Sequence, residues 1–205
     1  MLEINDLEFK WPDSKIFIYN MEINQGEIVT IEGPSGIGKS TLIDLIAGFL
    51  KPISGEIKWC GNSIIQDIPN ERPTSTIFQS NNLFEHLTCY VNVALGINPS
   101  GNLNKCQITK LETILFDLGV QDLKDRMPDQ ISGGQQARIA LARSLISNKP
   151  IILLDEPVSS LDQRTRKETL DVLRKTSKLY NVTLIIVSHH EDDREFLKAR
   201  PIYLN

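Results

Sequence analysis

Gly33-Pro34-Ser35-Gly36-Ile37-Gly38-Lys39-Ser40 brings a pliable backbone, one cation and two hydroxyls together within eight residues. The spacing fits G-x-x-x-x-G-K-[ST], a loop that cradles phosphates. Its glycines let successive N–H groups turn inward as an anion nest. A helix starting at about Lys39 aims its positive end at the same oxygens. Lys39 then reaches the β- and γ-phosphates, and the Ser40 hydroxyl is suited to Mg²⁺. The chemistry these residues point to is binding of a nucleoside triphosphate.

Two further segments carry chemistry. Ile151-Ile152-Leu153-Leu154-Asp155-Glu156 reads as a buried strand ending in two acids, and open α/β sheets bind ligands at strand C-termini. Asp155 is placed to hold Mg²⁺ beside Ser40. Glu156, one residue on, is placed to orient and deprotonate an attacking water. In Ile131-Ser132-Gly133-Gly134-Gln135, Ser132 and Gln135 have capping-box spacing ahead of the apolar helix Ala137–Ile146. Gly133 and Gly134 lower helix stability in that first turn, but leave bare N–H groups able to approach an anion.

The elements that must position these segments are legible from periodicity. Glu27–Ile31 alternates as a strand, and Leu42, Ile43, Leu45 and Ile46 give the following helix an apolar face. Residues 1–78 read as β-rich: a turn is expected near Asn20 between Ile16, Ile18 and Met21, Ile23, with strands at Gly55–Trp59 and Thr74–Phe78. From about Ser80 to Gln130 the period is helical, with Leu111, Ile114, Leu115 and Leu118 on one face. A helix over about 133–146 follows, then apolar strand Ile151–Leu154, a long helix over about 163–179, apolar strand Val182–Val187, and a short final helix. Apolar strands alternating with helices predict a parallel sheet covered on both faces.

The 205 residues suffice for a sizeable core. With 22 basic and 26 acidic residues, the net charge of −4 gives no basic field for nucleic acid. Cys60, Cys89 and Cys106 are far apart and read as reduced thiols. The N-terminus lacks a signal-peptide core, and no apolar run approaches the roughly 20 residues that span a bilayer. An intracellular protein, meeting a membrane only through a partner, is expected.

In these motifs and their order the whole chain resembles the nucleotide-binding subunits of ATP-binding-cassette transporters. Ile131–Gln135 matches their LSGGQ signature with Ile in first place. Gln79 falls at the Q-loop glutamine, Ser159-Ser160-Leu161-Asp162 at the D-loop, and His189 at the switch histidine. The resemblance implies an α/β P-loop NTPase core, a mostly parallel sheet flanked by helices, with an N-terminal antiparallel β subdomain and an inserted α-helical subdomain. Residues 1–79 and 147–205 would form the core and about 80–146 the helical part, within one domain. ATP contacts would run from Gly33 through Pro34, Ser35, Gly36, Ile37, Gly38, Lys39 and Ser40 to Thr41. Trp11 stands about where the family stacks adenine, with Phe9 and Phe17 nearby as either core or platform. Ser40, Gln79 and Asp155 would hold Mg²⁺. Glu156, His189 and Gln79 would be catalytic, with Asp162 in the D-loop. Ser132, Gly133, Gly134 and Gln135 would meet the ATP of a second subunit, making the working unit a head-to-tail homodimer.

Alternatives within the superfamily are weaker. A repair-type cassette would carry a long coiled coil, but about ninety residues without heptads separate phosphate loop and signature. A ribosome-acting member would carry two cassettes and a basic linker. The short length, ending about sixteen residues after His189, is similar to single-cassette importers without a regulatory domain. Gly96-Ile97-Asn98-Pro99 narrows the resemblance to importers of thiamine, with importers of other small solutes as the alternative. The implied partners are an integral membrane permease and, indirectly, a periplasmic solute-binding protein, but no nucleic acid. The implied location is peripheral, on the cytoplasmic face of the bacterial inner membrane. A patch from Asn82 to Leu87, including Leu83 and Phe84, is either a permease contact or packing for the helical insert.

Overall fold

The computed structural model describes all residues except Asp13, Asn81 and His189, together with the side chain of Glu191. In chain order the elements are β1 (Leu2–Lys10), β2 (Ile16–Ile23), β3 (Ile28–Glu32), α1 (Lys39–Ala47), β4 (Ser54–Trp59), β5 (Asn62–Ser63) and β6 (Thr74–Ile77). They continue with α2 (Cys89–Ala94), α3 (Lys105–Asp117), α4 (Gly133–Ile146), β7 (Ile151–Asp155), α5 (Gln163–Tyr180), β8 (Thr183–Val187), α6 (Glu191–Leu197) and β9 (Arg200–Tyr203).

The strands form two sheets. One, of order β2-β1-β4-β5, is antiparallel; the other, of order β6-β7-β8-β3-β9, is parallel. The unbroken apolar run in β7 has a direct cause. Ile151 and Leu153 pack with α1 and the antiparallel sheet, whereas Ile152 and Leu154 pack with α4 and α5. β8 divides in the same way, Ile185 and Val187 to one side and Leu184 and Ile186 to the other. Side chains alternate across a strand, so a sheet covered on both faces needs apolar residues at every position. The C-terminal ends of β3, β7 and β8 lie side by side in the sheet; the phosphate loop follows β3, and β7 ends on Asp155 with Glu156 next.

Two expectations need correction. No turn occurs at Asn20; β2 runs straight through it. Asn20 instead clamps a bulge in β1, where Asp6 has φ 45° and the register shifts between Ile4 and Leu7. The Asp6 N–H donates to Asn20 Oδ1 at 2.7 Å, and Asn20 Nδ2 donates to Asp6 Oδ1 at 3.0 Å. A polar residue that ties down a bulge mimics a turn signal in sequence. The last helix is followed by a further strand, β9, which pairs with β3 at the sheet edge and tolerates Pro201 there.

Candidate functional site

The phosphate loop joins β3 to α1, and α1 begins at Lys39 as expected. Its N-cap, Gly38, supplies no side chain, and the first turn contains no acid. Among the described residues no side chain caps the orphan N–H groups of that turn, unlike those of α4 and α5. Ser132 caps α4 with a full capping box, and Asp162 caps α5 by accepting from the Arg164 and Thr165 N–H groups. Lys39 is buried, and its ammonium donates to the carbonyl oxygens of Gly33 at 2.7 Å and Pro34 at 3.0 Å, bracing the loop from inside. Gly38 has φ 103°, and a Cβ there would lie 2.4 Å from the Tyr19 hydroxyl. Neither conformation nor space admits a side chain.

A cleft of about 430 Å³ opens over this loop. Ser35, Gly36, Lys39 and Ser40 line one side, Trp11 and Phe17 another, and Glu156 reaches in from the end of β7. Gly38 and Thr41 also line it, whereas Ile37 does not. Trp11 is fixed by its indole N–H, which donates to Thr41 Oγ1 at 3.2 Å, and by an edge contact with Phe9 at 5.1 Å. Phe9 is buried core and Phe17 is a cleft wall, so the two phenylalanines divide between the readings left open by sequence.

Glu156 takes a left-handed backbone conformation, φ 49°, directly after β7. Its N–H donates to Val187 O at 3.1 Å, and its carboxylate accepts from Gln79 Nε2 at 3.3 Å. A non-glycine residue held there is strained, as functional side chains often are. Asp155 ends β7; Asp44 on α1 has its carboxyl pushed up, first by burial and then by the charge of Asp155. The Asp162 carboxylate is held below its usual range by hydrogen bonds from the Thr165 side chain and backbone and from Arg164.

Ser132, Gly133, Gly134 and Gln135 lie outside this cleft. Gly134 has a packing reason the sequence did not reveal: a Cβ there would sit 2.4 Å from Thr165 Cγ2. Gly133 has a milder one, with Leu161 Cδ2 at 3.0 Å. His189 lies outside the described residues.

Sequence reasoning missed several supports. Asn82 closes the loop around Gln79, accepting from the Phe78 N–H at 2.8 Å and donating to Phe78 O at 2.6 Å. Arg143 of α4 donates to the Asn82 carbonyl and lies 5.7 Å from the Phe84 ring centre. Asp193, almost fully buried, takes two bonds from Arg166 at 2.6 and 2.7 Å and one from the Ser188 hydroxyl at 2.6 Å. Arg143–Asn82 and Arg166–Asp193 are 61 and 27 residues apart and obey no local period, and the short-range bonds of Asn82 and Ser188 lie in loops without one. In the Asn82–Leu87 patch, Leu83 packs on the core while Phe84 stays half exposed.

The ABC transporter family pattern matches residues 17–159, and the chain belongs to that family as an ATPase domain that hydrolyses ATP. It is similar to the thiamine import ATP-binding protein ThiQ of several bacteria. Identity is 41 % with that of Shigella boydii serotype 4 (strain Sb227), covering 98 % of this chain and 87 % of the relative. It is 46 % with that of Haemophilus influenzae, covering 85 % and 81 %. Among solved structures, cbiO1 of Clostridium perfringens, part of the ABC transporter complex cbiONQ, superposes with TM-score 0.85 at 29 % identity, covering 96 % of this chain and 81 % of that one. A dimeric ATP-binding cassette in a post-hydrolysis state with ADP and Pi gives 0.79 at 30 % identity, covering 100 % and 94 %. Among the described residues no helix is long and apolar enough to cross a membrane.

Proposed function

We propose that this chain is the energy-coupling ATPase of a bacterial thiamine importer, working as a head-to-tail homodimer on the cytoplasmic face of the inner membrane. The observation that carries the dimer is the cleft itself. It holds an uncapped helix N-terminus, Lys39, Ser40 and Glu156, yet no residue of the 132–135 signature. A second copy would supply Ser132 and the α4 N-terminus to the γ-phosphate, and Gln135 would hold Ser132 through the capping box.

In this reading Lys39 and the loop N–H groups bind the phosphates, and Trp11 meets the adenine. Glu156, oriented by Gln79, takes a proton from the attacking water. His189, assigned from sequence, stabilises charge on the transferred group. The Ser40 hydroxyl, the Asp155 carboxylate and the Gln79 amide oxygen are hard oxygen donors of the kind Mg²⁺ takes. That ion, when bound, neutralises charge on the phosphate oxygens. Residues 80–146 act as a helical subdomain that moves with the γ-phosphate through Gln79. A permease would dock at Phe49, Phe78 and Phe84, each about half exposed and the first two 5.8 Å apart. A periplasmic binding protein would deliver the solute to that permease.

The solute rests on the thiamine-import relatives. It is tested by uptake of labelled thiamine in cells whose own import ATPase is deleted and replaced by this chain. Uptake should return with the parent chain and vanish with Lys39→Ala. Failure of the well-expressed parent to restore thiamine uptake overturns the solute assignment.

A further inference from the structure

The Gly38 carbonyl accepts two hydrogen bonds, one from the Leu42 N–H at 2.9 Å and one from the Tyr19 hydroxyl, also at 2.9 Å. The first closes the opening turn of α1; the second comes from another sheet. Tyr19 lies on β2 opposite Leu7, and only 2 % of it is exposed. Two residues earlier on the same face, Phe17 stacks nearly parallel to it at 6.4 Å and lines the nucleotide cleft. Burial pushes the phenol up to about 12, so the hydroxyl remains a donor throughout the neutral range.

The geometry of the peptide unit gives this contact a consequence. The Gly38–Lys39 bond is planar and trans, so its carbonyl and its N–H point in opposite directions. Fixing the carbonyl fixes the Lys39 N–H, which faces out of the α1 N-terminus where an anion is received. One bond leaves the peptide plane free to rock about it, whereas two bonds from different elements hold it. Because Gly38 has no Cβ, the phenol can approach the backbone directly; a Cβ would be 2.4 Å from the hydroxyl and 2.8 Å from Phe17 Cδ1. Trp11, the residue just after β1, donates to Thr41 and is a second tether to the same turn.

We propose that Tyr19 is a positioning residue for ATP: through its hydroxyl, the antiparallel sheet sets the direction in which the phosphate loop presents its Lys39 N–H. The inference rests on the reading of Gly33–Ser40 as the phosphate site.

Tyr19→Phe removes only the hydroxyl and leaves the stacked ring and the Leu42 bond. Binding of ATP and ADP to the full chain, measured by calorimetry, should weaken about three- to tenfold, the scale of partly losing one well-aimed N–H bond to a charged phosphate oxygen. The loss should appear in KM for ATP, with kcat kept within twofold, while the lost intramolecular bond lowers the melting temperature by only about 2–4 °C. Unchanged affinity and KM would overturn the inference, and a lower melting temperature with those values intact would show Tyr19 to be purely structural. Lys39→Ala, measured alongside, separates the two layers. If it weakens nucleotide binding and Tyr19→Phe does not, only the Tyr19 inference falls. If Lys39→Ala binds normally, the phosphate-site reading falls and the inference with it.

Discussion

Gly134→Ala distinguishes two reasons for the paired glycines at the start of α4. One is close approach of an anion to bare N–H groups; the other is close approach of α4 to α5. The added methyl would lie 2.4 Å from Thr165 Cγ2. Carbon atoms prefer about 3.5–4.0 Å, so the helices must separate by roughly 1 Å or Thr165 must turn. Overpacking of this kind costs about 1–3 kcal/mol, offset by at most about 1 kcal/mol of helix propensity. A net loss of about 1–2 kcal/mol should lower the melting temperature by about 2–8 °C in a chain of this size. Thr165→Ser deletes the offending Cγ2 while keeping the hydroxyl that supports Asp162. Urea unfolding of the parent, both single variants and the double variant closes a cycle. The double variant should recover at least half of the loss, a coupling of about 0.5 kcal/mol or more. Equal effects of Gly134→Ala in the two backgrounds would refute the packing argument.

Packing at Gly134 also makes any charged substitution there ambiguous, so the anion role is better read at Ser132, which is exposed. Ser132→Asp keeps a good N-cap, and stability should change by less than about 0.5 kcal/mol; its carboxylate should nevertheless repel a partner's γ-phosphate and cut hydrolysis at least about tenfold. Nucleotide affinity of the isolated chain should hold, and loss of that affinity would place the signature in its own chain's site. At alkaline pH, Tyr19 predicts a second effect. The unfolded chain ionises near 10 and the folded one near 12, so stability present below about pH 10 is lost between about 10 and 12. Two units correspond to about 3 kcal/mol at most. Urea midpoints measured at pH 9 and 11 should therefore converge in Tyr19→Phe relative to the parent, and an identical pH dependence would contradict the burial argument.

What the sequence disclosed follows from how local each signal is. The phosphate loop is contiguous, and its fixed residues act through the backbone they themselves shape. The α4 limits, Gly133–Ile146, were legible because Ser132 and Gln135 cap one another across three residues. Burial of β7 on both faces was legible from four consecutive apolar residues. Asn20 misled because an asparagine clamping a bulge resembles one opening a turn. β9 escaped because a four-residue edge strand containing Pro201 has little pattern of its own. Tyr19, Arg143 and Asp193 act on partners that the fold alone brings near, so nothing in their sequence neighbourhoods marked them. The glycine pair was read for chemistry, and the α4–α5 contact added a packing cause.

The claim that one chain holds only part of an ATP site is tested most directly by the mass of Glu156→Gln in solution with ATP. Glu156 reaches the cleft and meets Gln79, and its loss should stop turnover while leaving the γ-phosphate bound between two copies. Light scattering with ATP should then show a species of twice the chain mass. ADP, or the added Lys39→Ala substitution, should return it to a single chain. A Glu156→Gln chain that stays monomeric with saturating ATP, or hydrolyses it at the parent rate, would contradict the account.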